Sequence, residues 1–293
     1  AGRRDRLPVI VGGRDGLSSK EVTPAMVAGV FAALNAPVPP RRFTIGIVDD
    51  VSGTSLDYDP AFDIEPDDTV RAVFFGLGSD GTVGANKNTI KILGAQRGVH
   101  AQGYFVYDSK KSGGTTVSHL RFGPHAIRAP WLVTSAGFVG VHHAALLDSL
   151  DVLAVARSGG VILLNSSLAP DQVWDSLHRG VQDEIIAKGL RLYTIDAGKV
   201  AREAGLPGRT NTVLQTCFFA ISGVLPREEA IEAVKSAIRK TYAKRGSEVV
   251  TRNEAAVDAA LEHLHEVAVP GHATTQRVPA PPVPLDAPKF VRT

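Results

Sequence analysis

The stretch Val70–Asn88, VRAVFFGLGSDGTVGANKN, limits the fold more than any other part of the chain. Val70–Phe75 is an apolar run that predicts a strand. Glycines at 76, 78 and 81 predict a turn, and a helix begins after them. Gly76, Gly78 and Gly81 fit the spacing G-x-G-x-x-G. Between a strand and a helix, such a turn binds phosphate: glycine lets the backbone approach, and the helix start supplies free N–H groups and partial positive charge. Gly76, Gly78, Ser79, Asp80, Gly81 and Thr82 are therefore candidate ligand-binding residues. The same spacing also serves a tight turn whose glycines only meet positive φ.

Ala101–Asp108, AQGYFVYD, reads as the next strand, and SKKSGGTT follows at 109–116. In a dinucleotide fold, an acid ending the second strand holds a ribose about 20 residues past the last glycine. Asp108 lies 27 residues past Gly81. Lys110 and Lys111 beside it favour a ligand with an extra phosphate, either coenzyme A with its 3′-phosphate or NADP with its 2′-phosphate. Ser112, two glycines and the neighbouring hydroxyls fit an anion nest. Paired lysines also serve as plain solvated surface.

From Val70 onward strand-like and helix-like runs alternate. That predicts an α/β fold with a mostly parallel sheet and helices on both faces. Before it, residues 7–11 and Phe43–Val48 read as strands. Thr23 caps a helix that has Pro24 at its first position and Met26, Val30 and Leu34 on its apolar face. After the glycine turn, Val83, Ile90 and Leu93 are expected to face the sheet. Trp131–Val141 and Val152–Asn165 carry strand-like runs, Asp171–Lys188 reads as one amphipathic helix, and Leu190–Ile195 as a strand. Pro226 opens a helix ended by Gly246, and Asn253 caps the last one. The tail from Pro270 is proline-rich, a linker or a strap over a neighbouring domain.

With 293 residues and a net charge of +2, the chain has room for two domains and offers no broad basic surface for nucleic acid. No run of apolar residues is long enough to span a membrane. The first residues lack a signal-peptide core. They also lack an initiator Met, which predicts a cut or processed piece of a longer chain. One cysteine, Cys217, excludes an internal disulfide and fits the cytoplasm; its apolar setting, TCFFAISG, favours an inert core thiol. Asp49 and Asp50 offer either a Mg²⁺ pair or a capped turn. His142 and His143, if in a strand, point to opposite faces and cannot chelate together, and no metal site is expected with His119 and His125. Asn165 and Asn211 either cap turns or line an interface toward a site in another domain, and capping is the reading expected. No catalytic residue is assigned.

The strings GLSSKEVTPAMV (16–27), GLGSDGTVGANKNTIK (76–91), AQGYFVYDSKKSGGTTVSHLRFGP (101–124) and NTVLQTCFFAISGVLPREEAIE (211–232) resemble pyruvate:ferredoxin (flavodoxin) oxidoreductase. The resemblance implies that residues 1–69 end a transketolase-C-terminal-like second domain. Residues 70–268 would form the gamma-type third domain, and 269–293 a proline-rich link toward the iron–sulfur region. It implies a role with coenzyme A here: Gly78, Ser79, Gly81 and Thr82 would hold phosphate, and Lys110, Lys111 and Ser112 the phospho-adenosine end. Arg121 would either reach the same anion or form a structural ion pair. Thiamine diphosphate, Mg²⁺ and [4Fe–4S] clusters belong to domains outside this chain. So does the grip on pyruvate, and the chain alone is expected to be inactive. The resemblance also implies partners: the remaining domains or subunits, ferredoxin or flavodoxin, and a homodimer when complete. Two other readings stay open, an NADP-binding oxidoreductase domain and a non-catalytic interaction module.

Overall fold

The computed structural model describes residues 10–16, 20–48, 51–108, 110, 113–281, 283–284 and 286–292. Residues 7–9 and the pair Asp49–Asp50 lie outside them, and so do Lys111 and Ser112. The chain divides into two compact units, Ala1–Asp67 with Arg128–Leu132, and Asp68–Ile127 with Val133–Thr293.

The first unit holds a three-stranded parallel sheet, β1 (Gly12–Arg14), β2 (Arg42–Ile45) and β3 (Ser55–Leu56), and one helix, α1 (Pro24–Leu34). Thr23 caps α1 as expected: Met26 N–H donates to its Oγ1 at 3.3 Å. Of the strand expected at 7–11, residues 7–9 lie outside the described residues; Ile10 and Val11 are not in a strand, Ile10 is exposed, and β1 begins at Gly12. The buried face of α1 runs through Ala25 and Gly29, because a Cβ on Gly29 would collide with Tyr58.

The second unit is α/β. Its elements are β4 (Val70–Leu77), α2 (Thr82–Gly94), β5 (His100–Tyr107), β6 (Thr115–Gly123), β7 (Ala136–Val141), α3 (Leu146–Ser149), β8 (Ala156–Asn165), α4 (Pro170–Ser176), α5 (Arg179–Ala187), β9 (Arg191–Ile195), α6 (Ala197–Glu203), α7 (Thr210–Ile221), α8 (Arg227–Tyr242), α9 (Ser247–Glu262) and β10 (His265–Val267). The sheet order is β10-β9-β8-β7-β4-β6-β5. Strands β4, β7, β8 and β9 are parallel neighbours, whereas β6 and β10 run against theirs. The next strand after the glycine turn is therefore not a parallel dinucleotide-type strand. β5 and β6 form an antiparallel hairpin, and β6 pairs with β4. Lys110 lies between the two strands of that hairpin.

Both faces of the sheet are covered, which is why its central strands read as nearly continuous apolar runs. Phe74, Leu120, Phe122, Phe138 and Leu163 face α2 and α6–α9, with Phe218 of α7 stacked edge-on against Phe74 and Phe138 at 5.3 and 5.0 Å. Val73, Phe75, Val139, Ile162 and Leu164 face α3–α5, where Trp174 and Ile185 cover them. Cys217 is fully buried in the first of these cores, and burial pushes its thiol up, as expected of an inert thiol.

Three helical expectations shift. Asp171–Lys188 is two helices, because the backbone turns extended at Leu177–His178 and the His178 imidazole caps α5. Of the residues of α2 expected to face the sheet, Leu93 is fully buried and Ile90 packs against the core beside Gly103 of β5, whereas Val83 is only half-buried; Thr82, Ala85, Asn86, Thr89 and Ile92 complete the buried face. Asn253 does not cap α9; it is buried inside that helix, where its Nδ2 donates to Val249 O and its Oδ1 accepts from Thr212 Oγ1. The proline-rich tail is partly tied to its own unit. Thr274 and Thr275 N–H donate to Oε1 of the fully buried Gln182, and Gln182 Nε2 donates to Trp174 O. Arg277 reaches Ser176 O and Asp148, while its carbonyl accepts from Arg179 N–H. This strap crosses the α4–α5 joint.

Candidate functional site

Parallel strands β4 and β7 are neighbours, yet the chain leaves β4 toward β5 on one side and returns to β7 on the other. Their carboxyl ends thus form a topological switch point, where an open α/β sheet places its ligand. The glycine turn follows β4 there, and His142–His143 follow β7.

The turn is closed by its own acid. Asp80 accepts Leu77 N–H at Oδ2 and Thr82 N–H at Oδ1, both at 2.7 Å. His143 Nε2 lies 3.2 Å from Oδ2, over a carboxylate that is only 14% exposed. Gly81 sits at φ 87 with Asn211 of α7 against it, so a Cβ there would lie 2.1 Å from Asn211 Nδ2. Gly76 has no room either, because a Cβ would lie 2.4 Å from Thr82 Oγ1. Ser79 has φ 74, the one positive φ among the described non-glycine residues.

Thr82, expected to hold phosphate, is not among the residues that line the cavity beside the turn. Its hydroxyl is buried and lies 2.6 Å from His142 Nδ1. His142 is itself 5% exposed, and burial drops its pKa to about 4, against the opposing pull of Asp80. The two histidines do not point to opposite faces, since both lie past the end of β7 and both reach the glycine turn. Asn165 links the next loop: its Nδ2 donates to His142 O and its Oδ1 accepts from Ala197 N–H, a capping role as expected.

A cavity of about 470 Å³ opens beside the turn, lined by Leu77, Gly78, Ser79, Asp80, Gly81 and Val83 on one side. Tyr107, Asp108, Lys110, Thr115 and Thr116 of the hairpin line the other. Gly78 N–H donates to Gly114 O and Gly113 N–H to Gly78 O, which ties the hairpin tip to the turn. The structure thus brings together Gly78, Ser79, Asp80, Gly81, Asp108 and Lys110. Gly76 and Thr82 support the turn from behind. Arg121 is not part of it. It is fully buried on β6, paired with Arg71 at the amino end of β4 and donating to Gln102 Oε1 at 3.2 Å. Thr116 pairs with Gly76 at the other end, so five residues of strand separate Arg121 from the cavity, roughly 16 Å. Among the described residues no group of three His, Cys, Asp or Glu is placed to hold a metal.

Sequence reasoning counted Thr115 and Thr116 among the hydroxyls of an anion nest, and both line the cavity, but it missed His142, His143 and Tyr107 as parts of this site; Asn211, expected to cap a turn, lies inside α7 against Gly81. The available signal was the switch-point rule, which points to the residues just after β7.

Residues 71–263 match the family described as pyruvate ferredoxin/flavodoxin oxidoreductase. The chain belongs to that family. It is 57% identical, over 98% of its length, to a putative pyruvate-flavodoxin oxidoreductase of Synechocystis, and 45% identical, over 97%, to the pyruvate:ferredoxin oxidoreductase of Moorella thermoacetica. In each case it spans 24% of the relative. Among solved structures, the pyruvate oxidoreductase subunit PORC of Thermotoga maritima aligns over 68% of this chain and 98% of its own, with TM-score 0.52 and 17% identity. A 2-oxoglutarate:ferredoxin oxidoreductase of Magnetococcus marinus, solved with coenzyme A and succinyl-CoA, aligns over 73% and 33%, with TM-score 0.51 and 16% identity. These two likenesses concern the fold. Among the described residues no helix is long and apolar enough to cross a membrane.

Proposed function

We propose that the second unit is the coenzyme A-handling domain of a pyruvate:ferredoxin oxidoreductase, holding the cofactor in the cavity beside the glycine turn. In this reading the whole enzyme decarboxylates pyruvate oxidatively, makes acetyl-CoA and CO₂, and passes electrons to ferredoxin or flavodoxin. The observation that carries it is the family membership, together with a cavity at the switch point lined by Lys110 and Tyr107. One buried cysteine cannot ligate a [4Fe–4S] cluster, so iron–sulfur chemistry falls to other segments. Thiamine diphosphate and Mg²⁺ fall to them too, and the complete enzyme is a cytoplasmic homodimer. The domain's contribution is proximity, bringing the CoA thiol to a carbon held elsewhere; such placement is worth several kcal/mol of barrier. Residues 1–69 are taken as the end of a preceding domain, 70–268 as this one, and 269–293 as the link onward.

The NADP reading fits less well. A dinucleotide site uses the first amides of the helix for pyrophosphate and an acid on a parallel second strand for ribose. Here Asp80 takes the Thr82 amide, and β5 belongs to an antiparallel hairpin. Calorimetric titration of the chain with coenzyme A, dephospho-coenzyme A and NADPH is the test. Coenzyme A is expected to bind, with loss of the 3′-phosphate weakening it by about 1.5–3 kcal/mol, the size of a charged hydrogen bond. Binding of NADPH without coenzyme A overturns the reading.

A further inference from the structure

An anion-binding glycine loop leaves its amides open to the ligand, and this one closes those of Leu77, Gly78, Asp80 and Thr82 on protein acceptors. The Asp80 carboxylate accepts from Leu77 N–H and Thr82 N–H, and His143 braces it. The helix start offers a partial charge of about +0.5, which a full carboxylate beside it more than cancels. Phosphate gains little there. Other groups lining the same cavity call for a neutral partner. Thr116 Oγ1 belongs to a residue only 5% exposed and has no hydrogen-bond partner. Among the described residues the amides of Ser79 and Gly81 donate to no protein acceptor. Val83 and Tyr107 add apolar surface, and the one cation of the lining among the described residues, Lys110, is exposed.

We infer that Asp80 is a specificity-determining residue: a built-in anion that reserves the buried end of the cavity for an uncharged, hydrogen-bonding arm and turns the ligand's phosphates toward Lys110. The inference rests on the coenzyme A reading, and it fixes the ligand's direction. The amide-bearing pantetheine arm meets Thr116, Ser79 and Gly81, and the phospho-adenosine end stays outside. It also predicts that this glycine turn, despite its dinucleotide spacing, rejects dinucleotides.

The test titrates the ¹⁵N-labelled chain with pantetheine, coenzyme A and inorganic pyrophosphate, following backbone amide signals. Pantetheine and coenzyme A are expected to shift Ser79, Gly81 and Thr116, and pyrophosphate to leave Ser79 and Gly81 unmoved. In Asp80→Gly, and more weakly in Asp80→Asn, pyrophosphate is expected to bind the turn at least tenfold more tightly than in the unaltered chain. If Asp80→Gly does not fold, Asp80→Asn and the unaltered chain still decide. Pyrophosphate that shifts Ser79 and Gly81 in the unaltered chain, with no gain in either variant, overturns the inference. Failure of coenzyme A and pantetheine to bind, with pyrophosphate still excluded until Asp80 is replaced, removes the coenzyme A reading and leaves Asp80's role standing.

Discussion

The two ends of β4 carry polar clusters of similar make-up and opposite use. At the carboxyl end, His142 meets Thr82, His143 meets Asp80, and a cavity opens beside them. At the amino end, Arg71, His119, Arg121 and Gln102 lie within the β4–β6–β5 ladders, with Arg71, His119 and Arg121 all buried. Each end holds a buried histidine whose pKa is lowered to about 4, by burial first in both cases. At His119 the Arg121 charge adds to the effect. A displaced pKa therefore does not separate a site from a scaffold here. Strand direction and access do: only the carboxyl end lies where a parallel sheet opens between loops.

The sharpest way to break this comparison is Arg121→Ala. It removes a large, fully buried side chain and strips Gln102 of a donor, so a loss of about 3 kcal/mol is expected from urea unfolding. Coenzyme A affinity of the folded fraction should stay unchanged. Lost affinity at full stability would place Arg121 in the site after all.

A smaller effect treats the two ends alike. His119 and His142 stay neutral in the fold down to about pH 4, while unfolded histidine protonates near 6.5. The unfolded chain thus binds more protons between these values. Stability is complete above pH 6.5 and falls as pH drops through the window, by about 2 kcal/mol per histidine between pH 6.5 and 5. Urea midpoints across that range check it, and a flat profile contradicts both burials. Replacing either histidine with Asn should halve the slope.

The smallest effect belongs to the carboxyl end alone. Ser79→Gly relieves a positive φ and should raise stability by up to about 1 kcal/mol. A thermal midpoint that falls instead would mean that the serine hydroxyl holds the turn.

The layered α/β architecture was legible because both faces of its central strands are apolar, and the turn was legible from three glycines. The hairpin was not. AQGYFVYD reads equally well as a parallel or an antiparallel strand, since direction is set by pairing across the sheet rather than by local pattern. That one ambiguity misplaced Arg121, which sits six residues past Thr115 in sequence and so at the far end of the sheet. Asp80 was visible as a residue and opaque as a role. Whether an aspartate contacts a ligand or satisfies its own backbone depends on a local turn that spacing does not reveal. His142 and His143 were read with strand alternation, which ends at Val141.

The strap at Thr274–Arg277 gives the fold a mechanical property. Tension applied beyond residue 277 loads Gln182, Arg179 and the Asp148 pair first, all on the α3–α5 side of the sheet. β10, an edge strand of three residues, is shielded behind that anchor. The strap works like a cleat on a rope: a pull on the residues past 277 is held there before it can unzip the sheet from its weakest border.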